Sequence, residues 1–178
     1  MEKVVVSIGG SVLIPEKDDA AYIRSLASML RGVSRKAVVA VVCGGGKISR
    51  YYSRTGSELG GTVNQLDEMG IAVTRINASL LRIALGDMAA EGTPTTAEEC
   101  ASIAGPDRVA VMGGTMPGHT TDAVAAMVAR EMDADRIVNA SNVDAVYTCD
   151  PRVDPDACRI DRMTIKELSD IVYDEHEA

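Results

Sequence analysis

Ala37-Val-Val-Ala-Val-Val-Cys43, followed directly by Gly44-Gly-Gly-Lys47, is the stretch that decides the fold. The apolar run is nearly continuous, as in a strand buried on both faces of a parallel sheet. The glycines let the backbone approach an anion closely, and a helix that begins behind them adds favourable partial charge. We therefore predict a phosphate-binding loop at the carboxyl end of a buried strand.

A buried strand followed by a loop of this kind recurs along the chain. One glycine loop alone would be weak evidence, because a tight strand-to-helix turn needs glycine anyway. In open parallel sheets, however, ligands bind at the carboxyl ends of the strands, so loops in that position share one crevice. Three further strands are each followed by such a loop: Val4–Ile8 by Gly9-Gly10-Ser11, Arg108–Met112 by Gly113-Gly114-Thr115, and Arg136–Ala140 by Ser141–Asp144.

Helical spacing of apolar residues fills the intervals between these strands. The alternation of strand and helix predicts an α/β fold with a mainly parallel sheet, in a single domain over residues 1–178. The predicted helices are residues 22–30 ending at Gly32, residues 69–85, a short helix capped by Thr96 with Glu99, residues 122–132 with Thr121 as N-cap, and residues 161–173.

The bulk composition excludes several classes of function. A net charge of −8 and the absence of Trp and Phe disfavour nucleic-acid binding, which needs a basic face and stacking rings. We see no membrane-length apolar run and no leader before the first strand, and so expect a cytoplasmic protein without a membrane partner. The four cysteines lack metal-ligand spacing. We expect Cys43 to be a core thiol and predict no metal site in the chain itself.

The loops together resemble a known family. Their glycine spacing fits neither the Walker pattern nor the dinucleotide fingerprint. They are instead similar to the amino acid kinase superfamily, and within it to the archaeal-type uridylate kinases, which make UDP from UMP and ATP. The resemblance implies a three-layer α/β/α fold. It rests on four motifs in the family's order: Ser7-Ile-Gly-Gly-Ser-Val-Leu13, Cys43-Gly-Gly-Gly-Lys-Ile-Ser-Arg50, Gly113-Gly-Thr-Met-Pro-Gly-His-Thr-Thr-Asp-Ala-Val-Ala-Ala126 and Asn142-Val-Asp-Ala-Val-Tyr-Thr-Cys-Asp-Pro151.

The resemblance also implies a role for each loop. Gly10, Ser11, Arg50 and Asp122 are the expected catalytic residues, with Asp122 organising the phosphate-binding groups. An Arg fork suits the planar spread of phosphate oxygens. UMP is expected at Gly45, Asp67, Thr115, Met116, Pro117, Gly118, His119, Thr120 and Thr121, where Asp67 binds the ribose hydroxyls. ATP is expected at Gly9, Gly10, Gly46, Arg50, Ser141, Asn142, Tyr147 and Asp150. Mg²⁺ is the expected cofactor, held mainly by substrate oxygens and water.

Two features depart from the family pattern. Many kinases of the superfamily carry a lysine where this chain has Ser7, and the archaeal uridylate kinases are similar to this chain in lacking it. Arg50 and Lys47 are the candidates for the cation that stabilises the transferring group. Family members also continue for several tens of residues beyond a helix such as residues 163–171, so we expect an incomplete C-terminal part. The resemblance further implies a homo-oligomer, a hexamer built from dimers.

Three other interpretations stay open from the sequence. One is a kinase for another small phosphate, such as isopentenyl phosphate. Another is a non-catalytic nucleotide or oxyanion binder of the same fold. A third is a structural or interaction protein. Single residues also have ordinary structural interpretations: Asp67 as a surface acid at a helix start, Asp150 as a turn residue before Pro151, and Lys47 as a solvated helix residue.

Overall fold

The computed structural model describes residues 1–15 and 19–174, with the side chains up to residue 170. Strands and helices alternate along the chain, as the sequence predicts. The strands are β1 Glu2–Ile8, β2 Ala37–Cys43, β3 Val109–Met112, β4 Arg136–Ala140, β5 Val146–Tyr147 and β6 Arg159–Ile160. The helices are α1 Gly10–Leu13, α2 Asp19–Ser34, α3 Gly46–Glu58, α4 Val63–Leu85, α5 Ala97–Ile103, α6 Thr121–Met132 and α7 Ile165–Asp174.

Strands β1 to β4 form one parallel sheet in the order β3-β2-β1-β4. The chain proceeds outward from β1 through β2 to β3 and then returns to pair β4 with the free side of β1. The strand order therefore reverses beside β1, and such a switch point is where open α/β sheets bind ligands. The register places Ser7 of β1 opposite Asn139 of β4, close to the carboxyl ends of both strands.

Two hydrophobic cores lie on the two faces of this sheet, because successive side chains of a strand point to opposite faces. In β2, Val39 and Val41 pack into the core under α2 and α4, whereas Ala40 and Val42 pack into the core under α5 and α6. All four are completely buried. This arrangement explains why the β2 sequence is apolar without alternation, and it confirms the predicted three-layer α/β/α fold.

Several element boundaries differ from the predictions. Helix α2 continues through Gly32 to Ser34, so that glycine lies inside the helix and does not end it. Helix α6 is capped by Thr120, whose side chain accepts a hydrogen bond from the Ala123 N–H at 3.1 Å, and Thr121 is its first residue. The prediction of Thr96 as a cap is confirmed, since its hydroxyl accepts from the Glu99 N–H at 3.2 Å.

Helix α4 is longer than predicted and begins at Val63. A capping box that the sequence analysis did not use begins it: Thr62 accepts from the Gln65 N–H, and the Gln65 side chain accepts from the Thr62 N–H at 2.9 Å. By length and composition alone, the segment Val63–Met88 could cross a membrane, contrary to the prediction of no such run. In this fold, one side of α4 is buried on the sheet and the opposite side is exposed, as in a layer helix.

The chain divides into two compact units, residues 1–142 and residues 143–178. The first unit contains the parallel sheet and both cores. In the second unit, β5 and β6 pair antiparallel, and neither strand was predicted from the sequence; α7 begins at Ile165 rather than at residue 161. The prediction of a single domain extends to residues outside the described ones and stays a prediction.

Candidate active site

A cavity of about 450 Å³ opens at the switch point of the sheet, at the carboxyl ends of β1, β2 and β4. It brings together three of the four predicted loops and the first turn of α6. We call it the donor cavity. Its lining contains predicted residues from every one of these segments: Gly9, Gly10, Ser11, Gly45, Gly46, Arg50, Thr120, Thr121, Asp122, Ser141 and Asn142.

The loop of residues 44–46 packs backbone to backbone against Gly10, and we call it the divider loop. A Cβ placed on Gly10 would collide with the backbone of Gly45 and with the Gly46 N atom. A Cβ on Gly46 would in turn lie 2.5 Å from the Gly10 carbonyl carbon. Gly46 also has a φ of +67°, which side chains disfavour. Glycine at these two positions is therefore required by contact, not only by turn geometry.

Arg50 supplies positive charge to the donor cavity. Its Nη2 atom donates to the Ser11 hydroxyl at 3.1 Å, which joins α3 to the first glycine loop. Among the described residues that line this cavity, Arg50 is the only basic side chain. Helix α3 begins at Gly46, so its free backbone N–H groups add to the attraction for an anion at the same place. An anionic group such as a phosphate is the ligand that this arrangement suits.

Asp122 is held by two neighbours, one from β1 and one from β4. The Ser7 hydroxyl donates to Asp122 Oδ1 at 2.7 Å, and the Asn139 amide donates to the same oxygen at 3.4 Å. Ser7 is nearly fully buried. The sequence analysis noted Ser7 only as a departure from the family pattern and did not single out Asn139. Their pairing across β1 and β4 could not be read from the sequence without the sheet register.

A second cavity, of about 290 Å³, lies on the other side of the divider loop, and we call it the acceptor cavity. Gly45 lines both cavities, as do Thr120 and Thr121. Of the residues predicted to bind UMP, the following line it: Gly45, Asp67, Met116, Gly118, His119, Thr120 and Thr121. Ser49, Ser53 and Thr74 add hydroxyl groups that the sequence analysis did not select.

Residues 113–121 form one wall of the acceptor cavity, and we call them the acceptor loop. Asp67, at the first turns of α4, accepts a hydrogen bond from the Gly118 N–H at 2.8 Å. Within the loop, the Thr115 hydroxyl and His119 Nδ1 lie 2.9 Å apart. Thr115 and Pro117 belong to this loop but do not line either of the two cavities. Asp67 therefore holds the acceptor loop, and its predicted contact with the ribose hydroxyls of UMP stays a prediction.

Helix α4 contacts both loops through side chains that the sequence analysis did not identify. The Asn77 amide donates to the Gly44 carbonyl at 2.8 Å and to the Gly45 carbonyl at 3.4 Å. Thr74 accepts from the Gly114 N–H at 2.7 Å. Asn77 is 2% exposed and lies four residues from Val73 and Leu81 on the buried side of α4. The one signal in the sequence that could have identified Asn77 was its amide side chain at a helix position that is otherwise apolar.

The remaining predicted ATP residues lie in the second unit. The Tyr147 hydroxyl donates to Asp144 at 3.0 Å, and this hydrogen bond raises the pKa of Tyr147. Asp150 accepts from the side chain and the backbone N–H of Arg152, and the Arg152 guanidinium holds the pKa of Asp150 below its ordinary value. Asp150 thus forms the turn expected of an Asp before Pro151, and its contact with ATP stays a prediction.

Two thiols lie close to the site without access to it. Burial raises the pKa of Cys43 to about 12, and burial likewise raises the pKa of Cys100 to about 12. Both are free thiols in the cores, so the prediction for Cys43 is confirmed. Over residues 1–15 and 19–174, no group of three or more His, Cys, Asp or Glu side chains could hold a metal ion.

A doubly covered parallel sheet, with an anion-suited cavity and a second cavity on either side of one glycine loop, defines a phosphate-handling α/β protein. The sequence pattern of the amino acid kinase family matches residues 2–178, and the chain belongs to this family. The uridylate kinase of Thermococcus kodakarensis is 42% identical over 175 residues, which are 97% of this chain and 77% of that protein. The uridylate kinase of Archaeoglobus fulgidus is 45% identical over 170 residues, covering 96% of this chain and 76% of that protein.

The fold agrees with a solved structure of such a relative. The crystal structure of the Archaeoglobus fulgidus uridylate kinase superposes with a TM-score of 0.87 at 43% identity, covering 97% of this chain and 78% of that chain. The resemblance inferred from the four motifs is therefore confirmed.

Proposed function

We propose that this chain is an ATP-dependent UMP kinase, which transfers the γ-phosphoryl group of ATP to UMP and yields ADP and UDP. One observation carries the proposal: Gly45 lines two adjoining cavities, so that a donor and an acceptor phosphate could bind on either side of one glycine loop. The uridylate kinases to which the chain is more than two-fifths identical support the acceptor.

The residues of the donor cavity are suited to positioning and charge neutralisation. Phosphoryl transfer needs little covalent help from the protein, because the acceptor is already an anionic phosphate. Arg50 and the backbone N–H groups behind Gly46 attract the phosphate oxygens of ATP. Gly10 and Ser11 lie against the group that is transferred. Asp122, fixed by Ser7 and Asn139, orients the surrounding donors and does not act as a base.

The acceptor cavity provides the contacts for UMP. Asp67 accepts from the ribose hydroxyls, while Gly45 and the Thr120–Thr121 segment face the phosphate. The half-buried His119 and the exposed Met116 border the base. Ribose recognition favours a nucleotide over isopentenyl phosphate, which has no paired hydroxyls to offer Asp67. The retained Arg50–Ser11 and Ser7–Asp122 contacts favour a catalyst over a non-catalytic binder.

Mg²⁺ fits this site as a partner of the substrate rather than of the protein. The donor cavity offers one carboxylate, Asp122, whereas Mg²⁺ keeps several waters and binds readily to nucleotide phosphates. When bound, the ion would neutralise charge on the phosphate oxygens. We therefore place ATP and Mg²⁺ together as the expected cofactors.

The exposed side of α4 supports a homo-oligomer. Ile76, Leu80 and Ile83 are 62%, 41% and 77% exposed on one face, and Tyr51 and Tyr52 of the neighbouring α3 are 58% and 46% exposed. An apolar surface of this kind is suited to a second copy of the chain. We propose a homo-oligomer in the cytoplasm, with nucleotides as the ligands and with a hexamer built from dimers as the expected assembly.

A coupled assay of ADP release tests the function directly. Mg²⁺-ATP is supplied with UMP, CMP, AMP or isopentenyl phosphate, and the four kcat/KM values are compared. We expect UMP to be preferred over isopentenyl phosphate by at least about ten-fold, because a site built to bind a substrate hydroxyl rejects analogues that lack it. CMP and AMP carry the same ribose hydroxyls, so their kcat/KM values report how the acceptor cavity discriminates the base. Preference for isopentenyl phosphate would contradict the assignment of the acceptor. Binding of ATP and UMP without turnover would contradict the assignment of an enzyme.

A further inference from the structure

Both loops that face the proposed nucleotides are tied to one helix. Asn77 of α4 holds the divider loop through the Gly44 and Gly45 carbonyls. Thr74 of the same helix holds the acceptor loop through the Gly114 N–H. We propose that Asn77 and Thr74 are positioning residues that set the spacing between the donor and acceptor phosphates. This inference rests on the proposed kinase function and adds to it how the distance between the two phosphates is fixed.

Helix geometry makes such a pair a suitable spacer. Residues three apart in an α-helix lie on neighbouring positions of one face, about 4.5 Å apart along the axis. The backbone of a helix is much stiffer than a glycine loop. The divider loop and the acceptor loop lie 33 and 40 residues along the chain from their partners on α4. One rigid helix therefore positions both loops. For in-line transfer, the acceptor oxygen must approach the γ-phosphorus closely, so the separation of the two loops matters directly.

Thr74 is itself held firmly in position. Its hydroxyl donates to the Ile71 carbonyl at 2.6 Å while it accepts from the Gly114 N–H at 2.7 Å. The single hydroxyl proton of Thr74 is therefore donated within α4, and a lone pair of the same oxygen accepts from the acceptor loop. The methyl group faces Gly45, since a Cβ on that glycine would lie 3.6 Å from Thr74 Cγ2. Thr74 consequently contacts the acceptor loop and the divider loop at once.

Arg75 reinforces the attachment of the acceptor loop. Its Nε atom donates to the Gly114 carbonyl at 3.3 Å, and its Nη2 atom donates to the Thr115 carbonyl at 3.2 Å. Glycine is required beside Thr74, because a Cβ on Gly113 would lie 2.6 Å from Thr74 Oγ1 and 2.7 Å from the Arg75 N atom. Helix and loop therefore touch without an intervening side chain, which leaves little room for the spacing to vary.

The experiment compares variants that remove each attachment with a matched control on the same helix. Asn77→Ala removes the divider-loop contact, and Asn77→Asp keeps the side-chain shape but loses the amide donors. Thr74→Val removes the hydroxyl, and Thr74→Ser restores it. Ser79→Ala is the control, because the Ser79 hydroxyl donates only to the Arg75 carbonyl of α4 itself, at 2.9 Å.

Steady-state kinetics separates a positioning role from a structural one. We expect both Asn77 variants to lower kcat by about 10- to 100-fold and to raise KM for UMP and for ATP, since a small misplacement carries a cost of that order. Thr74→Val should lower kcat by about ten-fold and raise KM for UMP alone. Thr74→Ser should recover most of the activity that Thr74→Val loses, and Ser79→Ala should match the wild type. Equal losses in Thr74→Ser and Thr74→Val, or an equal loss in Ser79→Ala, would overturn the proposal.

Amide hydrogen exchange tests the same variants without requiring turnover. Exchange should speed up in residues 113–115 for Thr74→Val, in residues 44–46 for the Asn77 variants, and in neither segment for Ser79→Ala. A wild type without activity on UMP would contradict the proposed function while these exchange rates still test the spacing role. Variants with wild-type exchange in both loops, at an unchanged thermal midpoint, would overturn the inference even if the enzyme is active.

Discussion

The divider loop and the acceptor loop face the same ligands but are built in opposite ways. The divider loop depends mainly on missing side chains, because Gly10 and Gly46 touch backbone to backbone, and Asn77 of α4 adds a side-chain attachment from outside it. The acceptor loop is held by side chains from outside it, through Thr74, Arg75 and Asp67. A loop whose backbone is in direct contact with another backbone has no room for an added side-chain atom. A loop held by several separate hydrogen bonds can lose them one at a time. We therefore expect an abrupt loss of activity when a side chain is added to Gly10 or Gly46, and graded losses when the side chains that hold either loop are removed one at a time.

The largest effect is expected from Gly10→Ala. The new Cβ would collide with the Gly46 N atom, which is backbone and cannot rotate away. Because a displacement of about 1 Å can cost about 10²-fold in rate, we expect kcat/KM to fall by at least that factor. Gly32→Ala is the control, since a Cβ there meets nothing within 4 Å in α2. It should keep full activity and gain about 0.5–1 kcal/mol of stability. Wild-type activity in Gly10→Ala would contradict the backbone contact.

Asp122→Asn tests the point where the two loops meet. Asp122 lies in the donor cavity directly behind the acceptor loop, and Ser7 and Asn139 fix its carboxylate. Its replacement keeps the shape but removes the charge that orients nearby donors. We expect kcat to fall by about 10²-fold with little change in KM for UMP, a loss typical of one preorganised electrostatic group. If kcat and KM both stay within two-fold of the wild type, the role assigned to Asp122 is wrong.

The smallest effect is expected from Gly118→Ala in the acceptor loop. Gly118 has a φ of +86° and open space around its Cα, so alanine there brings backbone strain but no clash. Gly60, between α3 and α4, has a φ of +84° and the same open space. Both alanine variants should lose about 1–2 kcal/mol in thermal unfolding. Only Gly118→Ala should raise KM for UMP, by a few-fold. Equal KM values would indicate that the acceptor loop does not shape the UMP site.

The layers of the fold were predictable because each strand carries its own signal. In β2, the unbroken apolar run reports burial on both faces, and β4 was predicted with its observed ends. The residues that cap each helix were harder to predict from the sequence. Thr120 and Thr121 are chemically identical, and only the backbone conformation decides that Thr120 caps α6. Gly32 failed as a helix stop because α2 has packing partners on both sides of it, including the buried Leu30 and Ser34.

The candidate site was predictable only where the chain repeats a motif. The first two glycine loops, Arg50 and Asp122 line the donor cavity, whereas the roles that the resemblance implied for them stay predictions. Ser7, Thr74 and Asn77 were missed because their partners are more than 30 residues distant, and a single sequence contains no record of such pairs. Asn77 could have been suspected as the one amide on the buried side of a long apolar helix. Its hydrogen-bond partner, the Gly44 carbonyl, could be identified only from the folded structure.

A crystal structure with UMP and a non-hydrolysable ATP analogue bound together tests the central claim most directly. The account predicts the UMP phosphate at the N–H of Gly45 and the γ-phosphate of the analogue beside Gly10 and Gly46, with the divider loop between them. It also predicts that Asn77 keeps its hydrogen bond to the Gly44 carbonyl in the complex. Two phosphates on the same side of residues 44–46, or UMP bound away from Asp67, would contradict it.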